Sequence, residues 1–177
     1  KEERLASGKV GGYLPNTDPA KTHLGEAQWQ WLEAELAKPA EVRLLCSSTQ
    51  VIPDHKGMDE WGNFPRERER LLSLCRDAGN VIILSGNVHF AEVSERDGLV
   101  EFTSSGMTHV NASYAKAPND FRIAGPYVDL NFGLLEIDWD PSPTMRLTAV
   151  GLDCAVGFQH VVRPEPGHSW DSPLDMP

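Results

Sequence analysis

The sequence predicts an α/β fold that takes on α+β character toward its C-terminus, and three observations support this. Helical and strand patterns alternate twice between residues 25 and 84, as helix, strand, helix and strand. The later apolar segments are short and separated by turn residues, which is typical of antiparallel strands. The 177 residues are 40% hydrophobic and 24% charged, an ordinary composition for one domain or a large piece of one.

The first element is an amphipathic helix preceded by a loop. Residues 1–23 combine glycines and prolines with little periodic hydrophobicity, which predicts a lead-in loop or linker. Over 25–38 the apolar face is broadened by Trp31, and Pro39 ends the helix. Three large apolar residues repeat there at helical spacing: Trp29, Leu32 and Leu36.

The next elements alternate as in a parallel sheet. A buried strand at 42–46, a charged helix at 65–75 and a second apolar strand at 81–84 follow in turn. Such alternation predicts a parallel sheet with covered faces, where sites gather beyond the C-terminal ends of the strands. Gln50 and the segment 87–89 both lie at that edge.

The remaining chain predicts antiparallel strands and an irregular end. Short apolar runs occur at 91–94, 99–103, 132–139, 145–150 and 158–162. The segment from residue 164 has proline and glycine without periodicity. We therefore divide the chain into a lead-in loop at 1–23, the main domain segment at 24–163 and a tail at 164–177.

Charge and hydropathy exclude several functions. The formal net charge is −10, and nucleic acid and anionic membranes attract basic surfaces, so neither is an expected partner. No apolar run approaches the ~20 residues that a membrane-spanning helix needs. The three cysteines lack the spacing of a zinc site or disulfide scaffold, and we expect Cys46 and Cys75 to be buried thiols.

The strongest local motif is Leu84-Ser85-Gly86-Asn87-Val88-His89, which follows a buried strand. We expect Gly86 to let the backbone turn tightly. The spacing can aim the Asn87 amide oxygen and a His89 imidazole nitrogen into one cavity, and both atoms are usable metal ligands. A lone histidine at a strand end is also common as a hydrogen-bonded structural residue, and the spacing alone leaves that alternative open.

Six blocks of sequence resemble the alkaline phosphatase D-like family in order and spacing. They are LGEAQWQWL at 24–32, SSTQ at 47–50, DEWGNFPRER at 59–68, SGNVHFAE at 85–92, FTSSGMTH at 102–109 and NFG at 131–133. The resemblance implies that residues 24–163 are the C-terminal half of a calcineurin-like metallophosphoesterase domain, an αββα sandwich. It also implies hydrolysis of phosphate monoesters or diesters by a water that two metal ions activate.

The same resemblance implies cofactors and a missing part of the site. The metals would be two divalent or mixed-valence ions among Ca, Fe, Zn, Mn and Mg, with Asn87 and His89 as ligands. The family motif usually has Asp where Asn87 stands, and a neutral amide supplies no negative charge. Residues 1–23 do not resemble the family's early ligand blocks, so we expect the N-terminal half of the domain upstream, and relatives suggest an extracytoplasmic or secretory route.

Further candidates carry competing structural interpretations. His55 and His109 join His89 as catalytic candidates, although histidines in polar loops are more commonly solvated than functional, and His109 can instead hold its loop. Gln50, Trp61 and Arg68 are substrate-binding candidates, although an aromatic residue before a charged helix commonly packs or caps. An alternative function is a catalytically inactive relative that binds a phosphorylated ligand or a partner, and the upstream sequence distinguishes the two.

Overall fold

The computed structural model describes residues 12–163, so the predicted tail at 164–177 and the start of the lead-in loop lie outside the described residues. Two α-helices and eight strands follow in the order α1 (Glu26–Leu36), β1 (Arg43–Cys46), α2 (Pro65–Ala78), β2 (Val81–Ser85), β3 (Ala91–Arg96), β4 (Leu99–Ser104), β5 (Arg122–Tyr127), β6 (Asn131–Asp138), β7 (Thr144–Gly151) and β8 (Val156–Val162). Short 3₁₀ turns occur at Trp61–Asn63, Tyr114–Lys116 and Leu152–Cys154.

Both predicted helices are confirmed. α1 buries its predicted apolar stripe, whereas Trp31 is 57% exposed and does not broaden the buried face. α2 begins at Pro65, which suits the first turn of a helix, and runs past the predicted end to Ala78. Gly79 follows with a positive φ of 68°, which ends the helix without strain.

The larger sheet has the strand order β1-β2-β4-β3-β5. β1 and β2 are parallel, as the alternating pattern predicts, and β3 pairs antiparallel with both β4 and β5. β4 was predicted as antiparallel, which holds for its pairing with β3, but it also pairs parallel with β2. Asp97 and Gly98 form the β3–β4 hairpin with φ values of 51° and 78°, the conformation that a two-residue hairpin turn favours. β5 was not predicted, because Gly125 and Pro126 interrupt its apolar pattern, and such residues are tolerated in an edge strand.

The smaller sheet, β6-β7-β8, is wholly antiparallel, as predicted. It packs on one face of the larger sheet, with core residues such as Phe102, Met145 and Leu147 between them. α1 and α2 cover the opposite face of the larger sheet through a core that includes Trp29, Leu71 and Ile83. The mixed α/β architecture agrees with the predicted fold class, and the described residues form one helical layer and two sheets.

One side of this sandwich is open in both sheets. β1 and β6 are edge strands, and β6 packs over β4 and β3, so that β1 extends beyond the smaller sheet. Leu44, on the inner face of β1, is 46% exposed. Cys46 on the same face is exposed, so its predicted burial was wrong, whereas Cys75 is buried as expected. Within residues 12–163, no helix is both long and apolar enough to cross a bilayer.

Candidate functional site

Two segments leave the C-terminal edge of the parallel strands and carry most of the predicted site residues. We call residues 47–60, after β1, the Gln50 loop, and residues 86–90, after β2, the His89 turn. A third segment, residues 105–114, follows β4 and crosses the His89 turn. β2 and β4 are neighbours in the sheet, so the segments that follow them meet.

The His89 turn has an unusual backbone. Asn87 and His89 have φ values of 70° and 60°, in the left-handed region that residues with a Cβ rarely adopt. Asparagine tolerates this conformation better than most residues, whereas for histidine it is less common. The expected role of Gly86 was wrong, because its φ is not positive and an added Cβ would make only ordinary contacts, at 3.7 Å.

The turn and the third segment bring two predicted histidines together. The Nε2 atoms of His89 and His109 lie 3.1 Å apart, and their rings meet edge to face. The Nδ1 atom of His109 is 2.9 Å from the hydroxyl of Thr108. Tyr114, which no sequence signal identified, stacks on the His89 ring with the centroids 5.6 Å apart.

Backbone contacts and burial complete this arrangement. The amide of Asn111 donates to the carbonyl of His89 at 3.0 Å, which ties the third segment to the turn. His89 is partly buried, and this burial together with the neighbouring His109 lowers the pKa of His89. This shift favours the neutral imidazole, the form that can bind a metal ion or accept a proton.

Asn87 lies on the solvent side of the turn. Its side chain is exposed, and its amide nitrogen is 3.5 Å from the carbonyl oxygen of Asp59 at the end of the Gln50 loop. The site thus borders that loop through Asp59. The exposed His55 lies on the same loop beside Asp54, with 3.0 Å between His55 Nε2 and Asp54 Oδ1.

Gln50 lies inside the protein. Its amide nitrogen donates to Glu92 Oε1 at 2.7 Å and to the Thr103 hydroxyl at 2.9 Å. The fully buried Lys56 donates to Gln50 Oε1 at 2.7 Å and forms an ion pair with Glu92, while Arg122 pairs with the other Glu92 oxygen. The sequence did not indicate Lys56 or its pairing with Glu92, because charged residues in a polar loop are normally solvated.

Arg68 also lies inside, where it holds the backbone of the Gln50 loop. Its guanidinium donates to the carbonyls of Val51, at 2.7 Å, and Ile52. On the other side, the buried Glu101 carboxylate accepts the amides of the same two residues, with 3.0 Å to Val51. Burial lowers the pKa of Arg68, and the nearby Asp54, 3.1 Å from the guanidinium, opposes this shift.

Trp61 is buried as well. Its indole N–H donates to the Ser47 hydroxyl at 3.0 Å, and its ring packs against those of Trp29 and His23. The structure therefore separates the predicted residues into two groups. Near the surface lie Asn87, His89, His109 and His55; inside the scaffold lie Gln50, Trp61 and Arg68.

The described residues bring together donor atoms of the kinds that metal sites use. Two imidazole nitrogens converge, and an amide stands on the same turn, which is a donor set suited to a borderline divalent ion. Within residues 12–163, no group of three or more His, Cys, Asp or Glu side chains is placed to hold a metal ion. The residues fit a metal ion only as part of a larger ligand set.

Solved structures share the fold of the described residues. The chain resembles the GAP50 anchor of the inner membrane complex of Plasmodium with a TM-score of 0.64 and 15% identity, over 79% of this chain and 43% of that one. It resembles a structure of PhoD with a TM-score of 0.57 and 17% identity, over 93% of this chain and 40% of that one. The chain thus spans about two fifths of each of these proteins.

The sequence comparisons define the family. The family model described as PhoD-like phosphatase matches residues 9–126, about two thirds of the chain. The chain belongs to this family of phosphatases, whose members are generally metal-dependent. No curated protein matches the chain.

Proposed function

We propose that this chain supplies the C-terminal part of a metal-dependent phosphoesterase, with residues 24–163 as its share of the domain. The observation that carries this proposal is the strained His89 turn at the end of the parallel strands. A left-handed backbone at a non-glycine residue destabilises the fold by about 1–3 kcal/mol, and such strain concentrates at functional sites. Here it falls on the two residues at the family's metal motif, Asn87 and His89.

The residues of the turn have distinct chemical roles in this proposal. Asn87 and His89 would hold metal, in a site that takes two ions of Ca, Fe, Zn, Mn or Mg. When bound, such ions activate a water and neutralise the phosphoryl oxygens of a monoester or diester. The lowered pKa of His89 favours its neutral form, and the exposed His55 of the Gln50 loop would pass a proton to the leaving oxygen.

We infer that the remaining ligands come from an N-terminal half that docks at the open side of the sandwich. The free edge of β1 can pair with a further parallel strand, and the exposed Trp31 lies along a groove between β1 and α1. An unpaired apolar edge promotes aggregation unless it is covered. The span of the chain, about two fifths of the matched structures, agrees with a missing half.

A second candidate function is binding without catalysis. Asn87 is neutral where the family motif usually has a carboxylate, which weakens the electrostatic attraction for a metal ion. A protein of this type would retain the fold and bind a phosphorylated ligand or a partner. An Asn87→Asp variant separates the two functions, because the restored charge strengthens metal binding only if the site is a metal site.

The test is hydrolysis of a chromogenic phosphate monoester and a diester. We would compare this chain with the same chain extended upstream in its reading frame, each with native His89 and with His89→Ala. Metal-dependent turnover that requires both the extension and His89 is the expected result. An extended protein that binds no metal, and in which His89→Ala changes nothing, would leave binding without catalysis as the better account.

A further inference from the structure

We propose that His109 is a metal ligand, and that it binds one first-row transition-metal ion together with His89 through their two Nε2 atoms. The inference rests on the proposed function only for the presence of metal at the His89 turn. It adds a second protein ligand and selects the class of metal. The alternative roles for His109 are contact with the substrate and support of its loop.

The spacing of the nitrogen atoms fits shared coordination. Imidazole nitrogens bind ions such as zinc at about 2.0–2.1 Å. Two nitrogens on one ion at that distance are about 2.8–3.4 Å apart for N–metal–N angles between about 90° and the tetrahedral angle. The Nε2 atoms of His89 and His109 are 3.1 Å apart, within this range.

The second ring nitrogen of His109 is also placed as in a metal ligand. Its Nδ1 atom is 2.9 Å from the Thr108 hydroxyl, which can accept the Nδ1 proton. That arrangement leaves the lone pair on Nε2, toward His89, and ligating histidines usually donate their other N–H to such a partner. In the reverse arrangement the Thr108 hydroxyl donates to Nδ1 and the proton lies on Nε2. A metal ion bound at Nε2 would select the tautomer with its proton on Nδ1.

The His89 ring is fixed by contacts that do not depend on its hydrogen bond to His109. The Asn111 amide donates to the backbone carbonyl of His89, and the Tyr114 ring stacks on the His89 imidazole with 30° between the planes. A ligand held in this way loses little conformational freedom when the ion binds. The strained φ of His89 then has a function, because it directs the imidazole to His109.

The donor set indicates the class of metal. Imidazole nitrogen suits zinc, iron, cobalt, nickel and copper, whereas calcium and magnesium require oxygen ligands. Two neutral imidazole nitrogens should bind calcium only very weakly. The pair therefore predicts a transition-metal position, with the remaining ligands supplied by water in this chain alone.

The experiment is a Zn²⁺ titration of the full 177-residue chain, followed by NMR of the histidine ring signals, with Ca²⁺ as the comparison ion. We expect Zn²⁺ to shift the His89 and His109 signals together and Ca²⁺ to shift neither. His89→Ala and His109→Ala should each weaken apparent Zn²⁺ affinity by at least about tenfold. Thr108→Val should weaken it less, because both imidazoles remain.

The control is His160→Ala, which removes a histidine from β8 in the smaller sheet. It should leave the affinity unchanged, and circular dichroism should show that each variant is folded. The inference fails if Zn²⁺ shifts His89 alone, if it shifts His160 equally, if no signal moves, or if His109→Ala binds as the native chain does. Binding by both histidines together with an inactive extended protein would retain this inference and reject the proposed phosphoesterase.

Discussion

The Gln50 loop and the His89 turn leave the same edge of the parallel sheet, yet they are built in opposite ways. In the Gln50 loop, polar side chains such as Lys56 are buried and hydrogen-bonded, and its backbone is held on both sides by charged groups. In the His89 turn, the backbone is strained and the imidazole reaches a second imidazole near solvent. The Gln50 loop is thus held by buried polar contacts, whereas the His89 turn keeps a left-handed backbone and leaves its imidazole close to solvent.

The largest expected effect is on the contacts that hold the Gln50 loop. Arg68 is 3% exposed and donates to the carbonyls of Val51 and Ile52. Arg68→Ala leaves those buried carbonyls without their donor and Asp54 with only His55 beside it, so we expect the free energy of unfolding to fall by about 3–5 kcal/mol. Urea unfolding measures it. The control Arg66→Ala, on the exposed face of the same helix, should change stability by less than about 0.5 kcal/mol.

An Arg68→Ala protein as stable as Arg66→Ala would show that the Gln50 loop does not depend on this arginine. It would also return Arg68 to the substrate-binding candidates. The stabilities of the two variants therefore decide whether Arg68 mainly holds the Gln50 loop or remains a candidate for binding substrate.

The next effect concerns the turn after β4. A Cβ added at Gly106 would lie 2.1 Å from the amide nitrogen of Asn131, whose side chain is fixed by Ser104 and by the Asp129 carbonyl. We expect Gly106→Ala to destabilise the protein by about 1–3 kcal/mol and to shift the His109 ring signals. Thermal unfolding and NMR measure the two results.

Gly86→Ala is the matched control for that change. Its added Cβ meets only ordinary contacts at 3.7 Å, so its effect should stay within about 0.5 kcal/mol. A larger effect at Gly86 than at Gly106 would revive the sequence-based prediction that Gly86 makes the turn.

The stability that Glu60 gives to the Gln50 loop should depend on pH. Burial raises the pKa of Glu60 to about 7, against the opposing influence of Lys56 and the amides of Lys56 and Gly57, and Asp54 raises it further. Because the folded-state pKa exceeds the unfolded value, the folded protein binds the extra proton between them. The resulting stability is greatest in acid and is lost as the pH rises through 7.

We expect Glu60 to account for a loss of about 2 kcal/mol in the free energy of unfolding between pH 5.5 and pH 8. Glu60→Gln removes this titration and keeps the side-chain shape, so the difference between the two proteins isolates Glu60 from other titrating groups. Parallel pH profiles for the native chain and the variant would contradict the raised pKa. Urea unfolding at both pH values provides the measurement.

The sequence predicted most of the fold because periodicity encodes it locally. α1, α2 and most strands follow patterns of apolar residues, whereas β5 has its pattern broken by Gly125 and Pro126. The order of strands in the sheet is not a local property, and it is the adjacency of β2 and β4 that brings His109 to His89. Sequence identified both histidines but gave no indication that they meet.

The buried polar contacts could not be predicted for a related reason. Lys56 binds a carboxylate, and Arg68 binds backbone carbonyls, that are distant in sequence. In the sequence alone, the two residues therefore look like ordinary solvated charges. Gln50 and Arg68 lie in two of the blocks that resemble the family. The resemblance does not tell whether such a residue supports the fold or contacts the substrate. Only the burial of these side chains in the structure makes that distinction.

The smallest effect tests the strain in the His89 turn. His89→Ala and His89→Gly both remove the imidazole with its contacts to His109 and Tyr114. Alanine keeps the cost of a φ of 60°, whereas glycine adopts this conformation freely, so the glycine variant should be more stable by about 1 kcal/mol. At His160, in the regular strand β8, the same comparison should have the opposite sign, because glycine weakens strands by about 0.5–1 kcal/mol. Thermal unfolding of the four variants measures both differences, and equal signs at the two positions would mean that the His89 turn stores no strain.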